Sequence, residues 1–414
     1  MSKKYRSIRG TADFDSHQAY AFNRVVEIAR QSFKNYSFDE IILPFLEEEG
    51  LFVRGVGQNS DIAEKQLFRI QDKDGVVLRP EGTAQVVRYF LENSLFNHGD
   101  FFKFSYIGAM FRGERPQKGR LRQFHHLGAE AIGSDNPALD AQIIILALDI
   151  LDAVGVKEKE LLINTLGCDK DKEIFSKELV KKLDSKKNNL CEDCKRRLGK
   201  NPLRVIDCKN KECKKTVTSL NIGEGRLCSN CQTHFDEVLG VLDMLKIKYT
   251  HAPYLVRGLD YYTNTVFEIT SSALGSQDAI GAGGRYNNLI KNLGGPDIPA
   301  IGFALGIERI LIALGESGEK ERLKAYVAVA DNSLRGDALK MVNELRGEGI
   351  SCDTDYCLKS LKGQLRAAVK RRARFVVIFG EEEHKKGCVL LKDMDKSIQS
   401  EIKTKDLINE VKNA

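Results

Sequence analysis

An interruption in the chain's pattern narrows its fold more than anything else in it. Residues Phe101 to Gly133 read as a β-hairpin. Phe102, Phe104, Tyr106 and Gly108 alternate with Lys103, Ser105 and Ile107, a polar segment from Glu114 to Arg122 turns, and Phe124 to Ile132 resumes the strand. Leu139 to Leu151 reads as an apolar helix. From about Lys170 to Lys248 the sequence becomes lysine- and cysteine-rich and helix-prone at both ends, and strand-like sequence then returns over Val256 to Thr270. Strands on either side of a tract of foreign composition imply one α+β domain closed around an insertion.

The flanking sequence fits that plan. Ala19 to Tyr36 has the apolar period of a helix (Phe22, Val25, Val26, Ala29, Phe33), and Ile41 to Leu43 reads as a strand stopped by Pro44. A glycine-dense segment, Gly281 to Tyr286, precedes a helix from about Gly306 to Leu314, and Gly315 to Arg322 reads as a linker. Beyond it, strands at Tyr326 to Ala330, Phe375 to Phe379 and Val389 to Leu391 alternate with helices at Leu334 to Glu348 and Leu358 to Arg372, a small α/β domain. The expected division is 1–168 and 249–318 for the interrupted domain, 169–248 for the insertion and 323–414 for the last domain.

Charged residues at 29% and hydrophobic ones at 42% exclude wholesale disorder. The longest apolar run, Ile143 to Leu148, falls far short of the roughly 20 residues that span a bilayer. The basic start lacks a following apolar region, so a cytoplasmic protein with no membrane partner is expected. The net charge of +6 is unevenly spread: Lys181 to Lys215 carries +8 and Lys359 to Arg374 carries +7, leaving −9 on the rest. Two basic tracts on an acidic body fit either a polyanion gripped at two places or a pair of solvated helix faces.

No phosphate-binding P-loop is present, and Gly281, Gly283 and Gly284 miss the dinucleotide spacing because position 286 is Tyr. A nucleotide must therefore be held by side chains and strands. The hairpin offers Arg112, Glu114, Arg120, Arg122 and Phe124, and period 2 puts Phe124, His126 and Glu130 on one face. A ring can stack a base and arginine forks can grip phosphate, although any one Arg/Glu pair here also reads as a surface ion pair.

These residues carry a resemblance. Arg112-Gly-Glu-Arg115 with Arg120-Leu-Arg-Gln-Phe124 resembles motif 2 of class II aminoacyl-tRNA synthetases, Phe38 to Phe45 resembles motif 1, the dimer-forming segment, and Gly302 to Arg309 resembles motif 3. Leu255-Val-Arg-Gly-Leu-Asp-Tyr-Tyr-Thr263 and Gly281-Ala-Gly-Gly-Arg-Tyr-Asn-Asn-Leu289 resemble the signature blocks of the histidyl-tRNA synthetase family, and Leu78-Arg-Pro-Glu-Gly-Thr-Ala84 agrees. The resemblance implies a class II antiparallel sheet flanked by helices, a C-terminal α/β anticodon-binding domain and a homodimer.

It also implies roles. Glu81, Gly82, Thr83 and Glu130 would receive the ammonium of L-histidine, and Tyr261 and Tyr262 its imidazole. His126, where the family pattern usually has Gln, would also touch the amino acid and titrate between about pH 6 and 7. Arg112 and Arg257 would stabilise charge at the α-phosphate of ATP, where the histidine carboxylate attacks. Glu114, Arg120, Arg122, Phe124 and Arg309 would bind the nucleotide, with Mg²⁺ on its outer phosphates. The two basic tracts would then share tRNA(His) as their partner, with Lys370, Arg371 and Arg372 on its phosphates.

Two C-x-x-C knuckles, Cys191/Cys194 and Cys228/Cys231, are what one tetrahedral structural zinc requires. The 33 residues between them exceed the usual ribbon spacing of about 15 to 20. Cys168, Cys352, Cys357 and Cys388 read as ordinary thiols. Two other readings compete with a histidine–tRNA ligase. A histidine-binding regulatory subunit of histidine biosynthesis would lack the Arg257 block and the C-terminal domain, and a zinc-ribbon RNA-binding protein leaves Arg112, Arg257 and Arg309 without a task.

Overall fold

Asp15 starts the first helix, Ser16–Asn35, with a reciprocal cap: its carboxylate accepts from the N–H groups of His17 and Gln18, and its own N–H donates to the Gln18 side chain. A second long helix, Pro137–Val154, begins on the Asn136 side chain and ends at Gly155 in the left-handed region. Both pack on one face of the main sheet through Val25, Ala29, Phe33, Ile144 and Leu151, against Leu127, Ala129 and Ala131 of the hairpin. Those three alternate with His126, Gly128 and Glu130, which face the other way.

The computed structural model describes residues 5–57, 60, 62–71, 73–208, 210–220, 227–275, 278–315 and 322–413. It forms two bodies, residues 1–318 and 319–414. Most of the expected linker, residues 316–321, lies outside the described residues. The first body holds an eight-stranded sheet in the order Asp39–Glu40, Phe102–Phe111, Gln123–Ile132, Ala300–Gly306, Ala279–Arg285, Thr263–Thr270, Glu160–Thr165, Thr250–His251. Neighbours are antiparallel except for the two edge strands, which pair parallel. The strands do come from both sides of the interruption.

Two strand expectations need correction. Only Asp39–Glu40 pairs with the hairpin, not Ile41 to Leu43. After Ile41 N–H reaches Ser105 O the chain leaves the sheet, because the Arg79 guanidinium takes the carbonyls of Leu43 (2.8 Å) and Pro44 (3.4 Å). Tyr261 and Tyr262 precede their strand, which begins at Thr263.

The insertion opens with Asp169–Asp184 and closes with Ser229–Met244, with short helices Glu192–Lys200 and Lys211–Thr218 between. Its buried residues Leu179, Leu198, Val205 and Val217 form a continuous core with Val256, Tyr261 and Tyr262. The second body is a five-stranded sheet in which Cys352–Thr354, Ala325–Val329 and Phe375–Phe379 run parallel and Cys388–Asp393 and Ile398–Lys403 are added antiparallel. Its basic helix is Leu361–Lys370, shorter than the pattern suggested because Leu358 and Arg372, at φ 56° and 55°, turn the chain out of the helix at either end.

Candidate active site

The face of the hairpin away from the long helices lines a cavity of about 330 Å³. One group of its residues suits an amino acid. Glu81 is buried and caps helix Thr83–Glu92, accepting from the N–H groups of Thr83 (2.6 Å) and Ala84 (3.0 Å). Burial raises its pKa, while those two N–H groups and Arg112 pull the other way. Glu130 is fully buried and does not line the cavity. One of its oxygens accepts from Thr83 Oγ1 (2.7 Å) and the other from Tyr286 Oη (2.6 Å). It therefore stands behind Thr83, whose hydroxyl donates to it. Burial pushes the Glu130 carboxyl up to about 8, against the pull of the Tyr286 and Thr83 hydroxyls.

Tyr261 and Tyr262 line the cavity with ring centroids 4.7 Å apart, and Tyr286 meets Tyr261 edge-on at 5.8 Å. Burial pushes the Tyr262 hydroxyl up to about 12, so it remains a neutral donor at physiological pH. Tyr106, absent from the sequence-derived set, lies under these groups opposite Gly128. A Cβ on Gly82 or Gly128 would lie 2.4 Å from its ring. Gly82 thus serves as space for Tyr106 and does not itself line the cavity.

The second group suits a polyphosphate and a base. Arg112 Nε is fixed on Pro80 O (2.9 Å) with its guanidinium 5.2 Å from the Phe124 ring centroid, and among the described residues its terminal nitrogens make no hydrogen bond. Arg120 pairs with Glu114, Arg257 with Glu268, and Arg309 donates to Ala279 O. All six of these charged side chains line the cavity with Phe124. Burial lowers the pKa of Arg112 against the pull of Glu114 and Glu81, and burial followed by the charges of Arg112 and Arg120 lowers that of Arg309. Arg122 is not among the residues that line the cavity; its Nε donates to Glu114 O (3.2 Å) and one terminal nitrogen to Arg9 O (3.4 Å).

The family model described as "Histidyl-tRNA synthetase" matches residues 10–310, and one described as "Anticodon binding domain" matches residues 324–414. The chain belongs to the histidyl-tRNA synthetase family. It is 44% identical to a histidine–tRNA ligase of Halothermothrix orenii over 97% of this chain and 98% of that one. A Thermodesulfovibrio yellowstonii histidine–tRNA ligase is 43% identical over 98% and 97%. The crystal structure of the apo S. aureus histidyl-tRNA synthetase is similar at a TM-score of 0.81 and 31% identity, covering 99% of this chain and all of that one.

Two departures from the expected histidyl-tRNA synthetase site follow from the geometry. His126 lines the cavity as expected, with Nδ1 buried and, among the described residues, without a hydrogen-bond partner. Against the expected titration near pH 6 to 7, burial first, and then Arg112, Arg309 and Arg79, hold its pKa well below the ordinary value. The shared zinc site is overturned. Cys191 and Cys194 gather with Cys208 and Cys213, whereas Cys228 and Cys231 gather with Cys168 and Asp171. The sequence between the knuckles folds back and supplies Cys208 and Cys213 before the chain reaches Cys228, so the two knuckles never meet. Cys168, expected to be an ordinary thiol, lies in the second cluster.

Asp207, from the insertion, and Glu268 also line the cavity and were not anticipated. Glu268 follows Arg257 by eleven residues and faces it only because the intervening loop reverses; no local pattern signals that pairing. Lys370, Arg371 and Arg372 are exposed at the end of their helix, and Arg371 pairs with Asp353 at 3.0 Å.

Proposed function

We propose that the cavity activates L-histidine with ATP and that the chain then transfers the histidyl group to tRNA(His). The observation that carries this reading is the pairing, in one cavity, of a tyrosine- and carboxylate-lined group with an arginine cluster backed by Phe124. Glu81 and the Thr83 hydroxyl receive the ammonium, with Glu130 behind. Tyr261 and Tyr262 offer neutral hydroxyls to the imidazole, and leaving such a group unpaired rejects apolar amino acids strongly. His126, neutral, presents Nδ1 as an acceptor or a donor beside the substrate.

The histidine carboxylate is already ionised, so no general base is needed for attack on the α-phosphorus. Arg112 holds its guanidinium ready, and Arg257 exchanges Glu268 for phosphate oxygen as charge builds. Phe124 and Arg309 sandwich adenine, and Glu114 with Arg120 forms the wall beside it. Pyrophosphate leaves, and the terminal ribose hydroxyl of tRNA attacks the adenylate carbonyl. Glu114 and Glu268 are the cavity carboxylates that would hold Mg²⁺, which would supply positive charge against the phosphates.

The acceptor arm meets the basic insertion and the anticodon the C-terminal body. A homodimer through the motif 1 segment fits the exposure of Ile42 (94%), Phe45 and Leu46 there. Among the described residues no helix is long and apolar enough to cross a membrane. The regulatory-subunit reading has no use for Arg257 at the cavity or for the C-terminal body. Histidylation of a tRNA(His) transcript tests the reading. Charging that depends on ATP and histidine supports it, and histidine binding without charging supports the regulatory reading instead.

A further inference from the structure

The cysteines of the insertion form two separate four-ligand clusters, each with its ligand atoms within 4.8 Å of one another. We propose that each chain carries two structural zinc ions, one held by Cys191, Cys194, Cys208 and Cys213 and the other by Cys168, Asp171, Cys228 and Cys231. Thiolates about 2.3 Å from a common tetrahedral ion lie about 3.8 Å from each other, and Cys191 Sγ and Cys208 Sγ are 3.9 Å apart. No pair among these cysteines is joined as a disulfide.

Backbone N–H groups already point at the sulfurs, as they do around metal thiolates. Cys191 N donates to Cys213 Sγ (3.1 Å), Asn210 N to Cys208 Sγ (3.4 Å) and Cys168 N to Cys231 Sγ (3.2 Å). Both knuckles sit at helix starts, Cys191 before Glu192–Lys200 and Cys228 before Ser229–Met244. Asp171 is buried and accepts from the N–H groups of Cys168 and Cys228, which leaves other lone pairs for an ion.

The two ions have different tasks. The four-thiolate ion ties the starts of the short helices Glu192–Lys200 and Lys211–Thr218 together, and its ligand Cys208 directly follows Asp207 in the cavity wall. The second ion staples the point where the chain leaves the main sheet, just after Glu160–Thr165, to the helix that brings it back. Cys231 Sγ there lies 3.7 Å from Asn264 Oδ1 on the strand that follows Tyr262.

Full-length protein, purified without metal affinity and passed over a chelating resin, is tested for metal content and by X-ray absorption at the zinc edge. About two zinc ions per chain and a first shell averaging seven sulfurs and one oxygen over the pair support the proposal. One ion or none, a nitrogen- and oxygen-rich shell, or a disulfide among these cysteines overturns it. Cys213→Ala and Cys228→Ala, each verified as folded by circular dichroism, retain one ion apiece; a folded variant retaining none or two overturns the assignment. The unsubstituted protein's spectrum decides the matter even where a variant does not fold.

Discussion

Burial favours the protonated form of Glu130, and on the proposed reading an ammonium held at the neighbouring Thr83 would favour loss of that proton. Its carboxyl is pushed up to about 8 from an ordinary 4.5, chiefly by burial. Between those values the folded chain binds more protons than the unfolded one. Stability therefore falls as pH rises through this window, by up to about 1.4 kcal/mol per pH unit. Urea unfolding at pH 6 and pH 8 should show that decline, and Glu130→Gln should remove most of it. Histidine binding at pH 7 should release more protons from the unsubstituted protein than from Glu130→Gln, measured calorimetrically in two buffers of different ionisation enthalpy. His126 contributes no such dependence: with its pKa held well below 6.5, KM for histidine between pH 6 and 7 should follow the same profile in His126→Gln. Arg112→Gln removes a guanidinium aimed where charge develops and should lower adenylate formation about 10²- to 10³-fold. That Arg112, Phe124 and Tyr261 belong to one site was legible because short motifs carry them, and all three line the cavity. The pKa of His126 was not, because it depends on burial first and then on Arg112, Arg309 and Arg79, which only the fold brings around it.

At the scale of elements, the hairpin was legible because period-2 alternation is local, and so was the insertion, because composition changes at its edges. The edge strand was misread because Arg79, more than thirty residues on, captures the backbone of Leu43 and Pro44. Tyr106 escaped notice for a related reason. In sequence it is one alternating residue among several, and only the register opposite Gly128, with Gly82 above, reveals it as the floor of the cavity. Gly128→Ala places a methyl carbon 2.4 Å from that ring. It should cost about 1–3 kcal/mol of stability by overpacking and raise KM for histidine with little change in kcat; chemical denaturation and steady-state kinetics measure the two effects.

For the whole molecule, the polarised charge was readable as a sum over segments, but which cysteines share a ligand cluster was not. That depends on how the stretch between the knuckles folds back, and no spacing rule specifies it. Replacing Lys370, Arg371 and Arg372 with Ala together should weaken tRNA(His) binding and reduce its salt dependence while sparing adenylate formation. Filter binding across a salt series and pyrophosphate exchange separate those outcomes. The central claim, a cavity that joins histidine to ATP, is tested most directly by ATP–pyrophosphate exchange with every proteinogenic amino acid in parallel. Exchange should occur with histidine, about 10⁴-fold above any competitor lacking its ring nitrogens, and should collapse in Arg112→Gln. Histidine that binds without supporting exchange, or exchange driven equally well by another amino acid, would contradict it.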